Sequence, residues 1–315
     1  MDPVIVADGV VKRYGTSTAL AGASVTIGRG LTGLLGANGA GKTTFIGMVL
    51  GLHRPDAGTL RVLGLDPGRV GPEIRERVGY APEHHNLPGD MSAYDLVRHL
   101  AEIHGLPRKE AINRASDVLW QVGLGEERLR PVSTFSTGQR QRVKLAAAIA
   151  HDPMLVLLDE PTDGLDPTQR EAMLALIRRI GTEFGIDVVL SSHQLEEVER
   201  ICDQVVILAG GEVAASGSLD ELRGAGHGAV IVLDDGVDAV VSRLSAWGSI
   251  EVRRQGNQLD VTSVALPEAV LFDAIRDALA DSQGSLRSLL PRRASLEDVY
   301  LRFGSVPAPD PVVNA

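Results

Sequence analysis

The stretch Gly36-Ala37-Asn38-Gly39-Ala40-Gly41-Lys42-Thr43-Thr44 decides the fold, because it fits the pattern G-x-x-x-x-G-K-[ST] and follows the apolar run Leu31 to Leu35. Glycines let the backbone turn tightly, so that its N–H groups face phosphate oxygens in front of a helix with a positive N-terminal end. In this pattern the lysine reaches the β- and γ-phosphates, and the next residue binds Mg²⁺. The residues expected to contact a nucleotide are therefore Gly36, Asn38, Gly39, Gly41, Lys42, Thr43 and Thr44.

A second acidic site follows the apolar run Met154 to Leu158, which ends in Asp159-Glu160. A buried strand that carries two carboxylates at its C-terminal end is costly unless a cation or proton chemistry compensates them. We expect Asp159 to hold Mg²⁺, directly or through water, and Glu160 to polarise an attacking water as general base. The structural alternative is an acidic turn that caps the next helix.

Composition limits the partners and the compartment. Lys and Arg (31) are fewer than Asp and Glu (41), which gives a formal net charge of −10 and predicts no nucleic acid partner. Cys202 is the single cysteine, and the N-terminus lacks the pattern of a secretory signal, so a cytosolic location is expected. No run approaches the roughly 18 apolar residues that cross a bilayer, which predicts that any membrane role is peripheral.

The pattern along residues 1–217 is mixed α/β and predicts a nucleotide-binding domain. Strand-like runs at Leu155 to Leu158 and Val188 to Leu190 flank the helical stretch Arg170 to Ile180, which is a βαβ unit and favours a parallel sheet. Between about 88 and 150 the character becomes amphipathic helix, with Leu96, Leu100 and Ile103 on one face. We interpret that interval as a helical insertion.

The pattern changes after Gly217. Three glycines in the interval 218–228 predict a linker, and the strand and helix patterns of 229–304 predict a small α+β domain. Its last helix is expected to begin at the capping-box sequence Ser295-Leu296-Glu297-Asp298. The proline-containing tail, 305–315, is expected to be disordered.

The segment Phe135-Ser136-Thr137-Gly138-Gln139 precedes the helical stretch Val143 to Ala150. Taken with the phosphate loop and the Asp159-Glu160 pair, it resembles the LSGGQ signature of the ATP-binding cassette (ABC) ATPases. The resemblance implies that two cassettes sandwich two ATP molecules, each signature meeting the γ-phosphate held by the other subunit. We expect Ser136, Gly138 and Gln139 to make this contact. Thr137 replaces the second glycine of the family pattern.

Further residues of this chain match motifs of the ABC ATPases, in the same order along the sequence. Tyr14 resembles the aromatic residue that stacks on adenine, although a tyrosine packed on its own sheet would have the same pattern. Asp163-Gly164-Leu165-Asp166 looks like the D-loop that crosses the dimer interface, through Asp166. His193 resembles the switch histidine that contacts the γ-phosphate and positions the attacking water. Glu83 stands where the family usually has a glutamine, and its carboxylate is expected to be an oxygen ligand for Mg²⁺.

The resemblance implies a P-loop NTPase cassette with a RecA-like core, an antiparallel β subdomain and a helical subdomain, followed by the small C-terminal α+β domain. The C-terminal region looks like that of daunorubicin-type drug exporters. This branch implies an ATPase that works as a homodimer with a separately encoded permease, peripheral to the cytoplasmic face of the membrane, and moves a drug-like or lipophilic substrate.

Two alternatives from other classes stay open. One is a soluble ABC ATPase that acts on ribosomes or DNA, although such proteins usually join two cassettes in one chain or carry basic surfaces. Another is a non-catalytic module that binds ATP as a dimerising switch. A GTPase is disfavoured because the chain has no Asn-Lys-x-Asp stretch for guanine.

Overall fold

The chain divides into two units, Met1–Ser216 and Gly217–Ser305, of which each is described by itself. The structure is a computed structural model and describes residues 2–84, 87–224, 227–263, 265–282, 284–293, 296–297 and 299–300. The elements of the first unit are, in chain order, β1 (Ile5–Tyr14), β2 (Ser17–Ile27), β3 (Leu31–Leu35), α1 (Lys42–Val49), β4 (Ala57–Val62), α2 (Pro67–Arg77), β5 (Val78–Ala81), α3 (Ala93–Ile103), α4 (Arg108–Gln121), α5 (Thr137–Ile149), β6 (Leu155–Asp159), α6 (Pro167–Phe184), β7 (Asp187–Ser192), α7 (Leu195–Ile201), β8 (Gln204–Ala209) and β9 (Glu212–Ser218).

A six-stranded sheet with the order β5-β6-β7-β3-β8-β9 forms the centre of this unit. The pairs β5–β6, β6–β7, β7–β3 and β3–β8 are parallel, which confirms the predicted parallel sheet. Every residue of β3, β6 and β7 is buried, as expected for parallel strands covered on both faces. Asp159 pairs with Ser191, and Leu35 pairs with Ser192. The register therefore brings the phosphate loop, the acidic pair and the end of β7 to one edge of the sheet.

A smaller antiparallel sheet has the order β2-β1-β4. Its strands β1 and β2 have 10 and 11 residues and pair with each other along most of their length despite bulges. Ile5 and Leu20 from this sheet share one core with Phe45 of α1 and with Leu157 and Val206 of the large sheet. This shared core fixes the phosphate-loop helix between the two sheets.

The interval 88–150 contains α3, α4 and α5. Ser92 caps α3, because its hydroxyl accepts a hydrogen bond from the Asp95 N–H at 3.0 Å. Leu96 is buried, but Ile103, expected on the same face, is 64% exposed. The buried stripe of α3 is centred nearer Val97 than Leu100, and Ile103 lies at its margin in the last turn.

Two histidines stack where the ends of α3 and α5 meet. The rings of His104 and His151 lie 3.9 Å apart between centroids with an interplanar angle of 10°. Burial, together with the neighbouring His104, lowers the pKa of His151 to about 4. Burial also lowers the pKa of His104. The folded chain therefore favours the neutral form of this pair.

We predict that this pair makes the protein less stable in mild acid. The unfolded chain binds a proton at His151 near pH 6.5 and the folded chain near pH 4, so the free energy of unfolding falls as pH decreases through this window. The expected loss is about 1 to 2 kcal/mol between pH 7 and pH 5. Urea unfolding of wild type and His151→Asn at both pH values measures it, and His151→Asn should show the smaller pH dependence.

The matched control is His99→Asn, because His99 lies on α3 and is exposed. This variant should keep the pH dependence of wild type. An equal fall in the free energy of unfolding for wild type and His151→Asn would show that the stacked pair does not set the acid sensitivity.

The second unit begins with a short helix, α8 (Leu219–Gly224), and continues as β10 (His227–Leu233), α9 (Val237–Ser245), β11 (Glu251–Gln255), β12 (Gln258–Ser263), α10 (Glu268–Ser282) and β13 (Leu286–Arg293). The four strands form an antiparallel sheet with the order β11-β12-β10-β13. This is the βαββαβ arrangement of ferredoxin-like domains. Ile231 and Val261 of the sheet share a core with Val240 of α9 and with Leu271 and Ile275 of α10.

The interval 218–228, expected to be a linker, is occupied largely by α8 and the start of β10. The helix forms because Ser218 and Glu221 cap it reciprocally: the Glu221 N–H donates to the Ser218 hydroxyl, and the Ser218 N–H donates to the Glu221 carboxylate. At the other end, Leu296 and Val299 are buried. Ser295 and Asp298 of the predicted capping box, and the predicted disordered tail 305–315, lie outside the described residues.

Candidate active site

The phosphate loop connects β3 to α1. Gly39 and Gly41 have φ angles of 83° and 104°, in the left-handed region where glycine is favoured. A Cβ atom at Gly41 would lie 2.6 Å from the carbonyl oxygen of Ala19, so a side chain does not fit there. Asn38 is exposed in the loop, and Thr44 is half-buried on the first turn of the helix. The backbone thus has the tight turn that phosphate binding requires.

Lys42, the first residue of α1, is 7% exposed. Its Nζ donates to the carbonyl oxygen of Gly36 at 2.7 Å, which holds the ammonium over its own loop. The same Nζ lies 3.3 Å from Oε1 of Glu160. A single cation therefore connects the phosphate loop to the predicted general base.

Asp159 is 2% exposed at the end of β6. Its Oδ1 accepts a hydrogen bond from the Ser191 hydroxyl at 2.5 Å, and its Oδ2 accepts one from the Thr43 hydroxyl at 3.4 Å. The hydroxyl of Thr43 and the carboxylate of Asp159 are hard oxygen ligands of the kind that Mg²⁺ prefers. These two predicted ligands therefore lie together, and their chemistry fits the ion.

Ser191 is a site residue that the sequence interpretation did not identify. Besides contacting Asp159, its hydroxyl accepts a hydrogen bond from the Glu160 N–H at 3.1 Å. The signal available in the sequence was a hydroxyl at the end of a strand that pairs with the acidic strand. Without the register of that pairing, Ser191 and Ser192 are equivalent candidates.

Glu160 has a φ angle of 47°, which is uncommon for a residue other than glycine and strained. Its side chain lies between Lys42 and His193, since Oε2 is 2.9 Å from Nδ1 of His193. Glu160 is 8% exposed, whereas the His193 side chain is 50% exposed. The two predicted catalytic residues are thus in direct contact, on the ends of the neighbouring strands β6 and β7.

Glu83 contacts Lys144 of α5 through its backbone. Its side chain is exposed, and its carbonyl oxygen accepts a hydrogen bond from the Lys144 ammonium at 2.9 Å. Burial lowers the pKa of Lys144 to about 8. Burial and the charges of Asp159 and Glu83 raise the pKa of the nearby Tyr80 to about 12. The role of the Glu83 carboxylate as an Mg²⁺ ligand stays a prediction.

Comparison with known proteins assigns the family. Residues 20–163 match the ABC transporter family. The chain is 32% identical to the linearmycin resistance ATP-binding protein LnrL of Bacillus subtilis (strain 168), over 94% of this chain and 97% of that protein. It is also 32% identical to the daunorubicin resistance ATP-binding protein DrrA3 of Streptomyces coeruleorubidus, over 96% of this chain and 92% of that protein.

The chain belongs to the ABC transporter family. Its fold agrees with the solved structure of cbiO1 from Clostridium perfringens, part of the ABC transporter complex cbiONQ, with a TM-score of 0.66 and 27% identity over 79% of this chain and 98% of that chain. This confirms the predicted cassette fold. The chain is accordingly an ATP-binding cassette with ATPase activity.

The signature segment of the cassette forms the N-terminus of α5. The Ser136 hydroxyl accepts from the Gln139 N–H at 3.2 Å, and the Gln139 side chain accepts from the Ser136 N–H at 3.1 Å, which is a capping box. Gly138 is buried, and a Cβ atom added there would lie 2.8 Å from Oε1 of Gln169. These residues thus have structural roles within the chain, and their contact with a second subunit stays a prediction.

Thr137, the departure from the family pattern, lies beside the D-loop turn. A Cβ atom at Gly164 would lie 3.4 Å from the Thr137 methyl group. Gln141 donates to the carbonyl oxygen of Asp163 at 3.3 Å, and Asp166 caps α6 by accepting from the Gln169 N–H at 2.8 Å. The signature helix and the D-loop therefore support each other.

Tyr14 lies at the end of β1 and is 45% exposed. Its ring packs edge-on against His53 with 5.7 Å between centroids, and Lys12 lies 5.5 Å from its centroid. Tyr14 is thus partly exposed beside these two contacts. These contacts fit a tyrosine that stacks on adenine and also one that packs on its own sheet. Adenine stacking by Tyr14 therefore stays a prediction.

Proposed function

We propose that this chain is the ATP-hydrolysing subunit of an exporter that moves a drug-like or lipophilic substrate through a separately encoded membrane permease. The supporting observation is similarity to two resistance ATP-binding proteins over more than nine tenths of the chain, which includes the C-terminal unit. No helix in the described part of the chain is long and apolar enough to cross a membrane. The proposed location is the cytoplasmic face of the membrane, reached through the permease.

The chemistry of the proposed site follows from the contacts of its residues. Lys42 and the loop N–H groups bind the β- and γ-phosphates of ATP, and Tyr14 stacks on the adenine. Thr43 and Asp159 would hold Mg²⁺, with Glu83 as a further ligand. The ion would supply positive charge to the phosphate oxygens.

Glu160 and His193 carry the hydrolytic step in this proposal. Glu160 accepts a proton from the attacking water as general base, and the strained backbone at this residue holds its carboxylate at the strand end. His193 contacts both this carboxylate and the γ-phosphate, so it orients the base toward the reacting group. Ser191 fixes Asp159 on one side and the Glu160 backbone on the other.

The proposed assembly is a homodimer with two composite sites. Each chain has one phosphate loop and one signature segment. In the dimer, Ser136, Gly138 and Gln139 at the N-terminus of α5 contact the γ-phosphate bound by the partner, and Asp166 crosses the interface. A helix N-terminus favours this anion because its N–H groups and dipole are positive. ATP then closes the dimer, and hydrolysis opens it.

The test of the transporter role is the identity of the protein that binds the chain. We expect a tagged copy, purified from native membranes in mild detergent, to retain a multi-helix membrane protein in stoichiometric amount, detected by mass spectrometry. Recovery of the chain alone, or with ribosomes or DNA, would instead favour the soluble ABC ATPase. The Glu160→Gln variant is a suitable second bait, because slower hydrolysis should leave ATP-dependent complexes intact.

A further inference from the structure

A buried carboxylate behind the active site is not accounted for by the proposed reaction. Glu197 of α7 is 3% exposed. Its Oε2 accepts hydrogen bonds from the hydroxyl of Thr162 at 2.7 Å and from the hydroxyl of Ser192 at 2.9 Å. Its Oε1 lies 3.2 Å from Nε of Arg170. A buried carboxylate is costly without such compensation, so this arrangement requires a specific explanation.

The two hydroxyls belong to the segments that carry the proposed catalytic residues. Thr162 is two residues after Glu160, and Ser192 directly precedes His193. Both hydroxyls are buried, with 1% exposure for Thr162 and 0% for Ser192. One carboxylate oxygen thus connects the segment of the general base to the segment of the switch histidine.

Arg170 extends these contacts to the D-loop turn. Its Nη2 donates to the carbonyl oxygen of Leu165 at 3.4 Å, inside the turn Asp163–Asp166. The contact between Arg170 Nε and Glu197 Oε1 lacks hydrogen-bond alignment, so it acts as a charge contact. The guanidinium therefore lies between the buried carboxylate and the segment expected at the dimer interface.

We infer that Glu197 is a positioning residue that holds His193 against Glu160 and, through Arg170, keeps the D-loop turn in register with them. The inference rests on the proposed function, because it assumes hydrolysis at Glu160. A carboxylate suits the role better than a carboxamide, because Oε2 accepts from both hydroxyls while Oε1 keeps a negative charge against the guanidinium, which the NH₂ group of a carboxamide cannot supply. Its loss should misplace the catalytic pair without removing any group that binds ATP.

The first test compares Glu197→Gln with wild type in steady-state ATPase assays. We expect kcat to fall about 10- to 100-fold with little change in KM, which is the usual scale for a misplaced catalytic group. The matched control is Glu196→Gln, because Glu196 is the exposed neighbour on the same helix. Equal kcat values for Glu197→Gln and Glu196→Gln would overturn the inference.

A second measurement separates positioning from a general loss of structure. If Glu197 acts largely through the switch histidine, the double variant Glu197→Gln/His193→Ala should lose much less kcat than the product of the two single losses. Multiplication of the two single losses would show that Glu197 acts independently of His193, which overturns the inference.

Thr162 provides a test if Glu197→Gln does not fold. Thr162→Val removes one hydroxyl donor and keeps the shape of the side chain, so kcat should fall. Thr162→Ser keeps the hydroxyl and should restore most of the lost turnover. Equal kcat values for the Val and Ser variants would contradict the proposed contact.

The Glu160→Gln variant, assayed alongside, distinguishes a failure of the proposed function from a failure of the positioning role of Glu197. If it hydrolyses ATP as fast as wild type, the proposed catalytic assignment fails, and this inference fails with it. If it loses turnover while Glu197→Gln does not, the proposed function stands and only the positioning role of Glu197 is wrong.

Discussion

Glu160→Gln is expected to lower steady-state ATP turnover by about 10²- to 10⁴-fold, the usual scale for a general base. Glutamine has nearly the same shape and can still contact Lys42 and His193, but its carboxamide does not accept a proton at neutral pH. ATP binding should be preserved, because the phosphate loop is unchanged. Turnover is measured by phosphate release, and binding by titration with a fluorescent ATP analogue.

The control for this substitution is Glu110→Gln, because Glu110 is exposed on α4 away from any predicted site residue in sequence. It should hydrolyse ATP at the wild-type rate. Unchanged turnover in Glu160→Gln would remove Glu160 from the reaction. Wild-type protein that binds ATP without turnover would instead favour the non-catalytic dimerising switch.

Lys42→Ala is expected to weaken ATP binding about 30- to 1,000-fold, which corresponds to the loss of charge-assisted hydrogen bonds to phosphate. The reason is that the Lys42 ammonium, 7% exposed and fixed by the Gly36 carbonyl, is the buried cation of the phosphate loop. The dissociation constant of the same fluorescent analogue measures the effect. Lys109→Ala, on the exposed side of α4, should bind like wild type.

Lys42→Ala should also change the stability of the folded chain. It leaves the buried Glu160 carboxylate without its ion-pair partner, which lies at 3.3 Å in the structure. An unpaired buried carboxylate destabilises the folded state. The unfolding midpoint of Lys42→Ala should therefore be measured with the binding constant. A dissociation constant within about threefold of wild type, a free-energy change below the size of one hydrogen bond, would contradict the assignment of Lys42.

The two substitutions separate binding from hydrolysis. Glu160→Gln should bind ATP and turn over slowly, whereas Lys42→Ala should fail at the binding step. If both lost only binding, the Lys42–Glu160 pair would be part of the nucleotide pocket rather than of the reaction.

The phosphate loop and the acidic pair were predictable because each is a local pattern. The required backbone conformation is encoded by adjacent residues, such as Gly39 and Gly41, and the burial of β6 is encoded by a continuous apolar run. The helix α8 was also encoded locally, by Ser218 and Glu221, but its capping box was hidden by the glycines that suggested a linker. The exposure of Ile103 was not predictable from the apolar spacing, because it depends on which face of α3 packs against the other helices.

The sequence alone determined the family, the parallel sheet and the residues of the phosphate loop, because motifs and apolar periodicity are properties of contiguous segments. Only the tertiary structure decided that Ser191 fixes Asp159, that Glu160 lies between Lys42 and His193, and that the buried carboxylate of Glu197 contacts Thr162, Ser192 and Arg170. These contacts link residues 31 to 118 positions apart in several cases, as for Ser191 with Glu160 and Lys42 with Glu160. Strand register and helix packing set such distances, and neither is written in a local pattern.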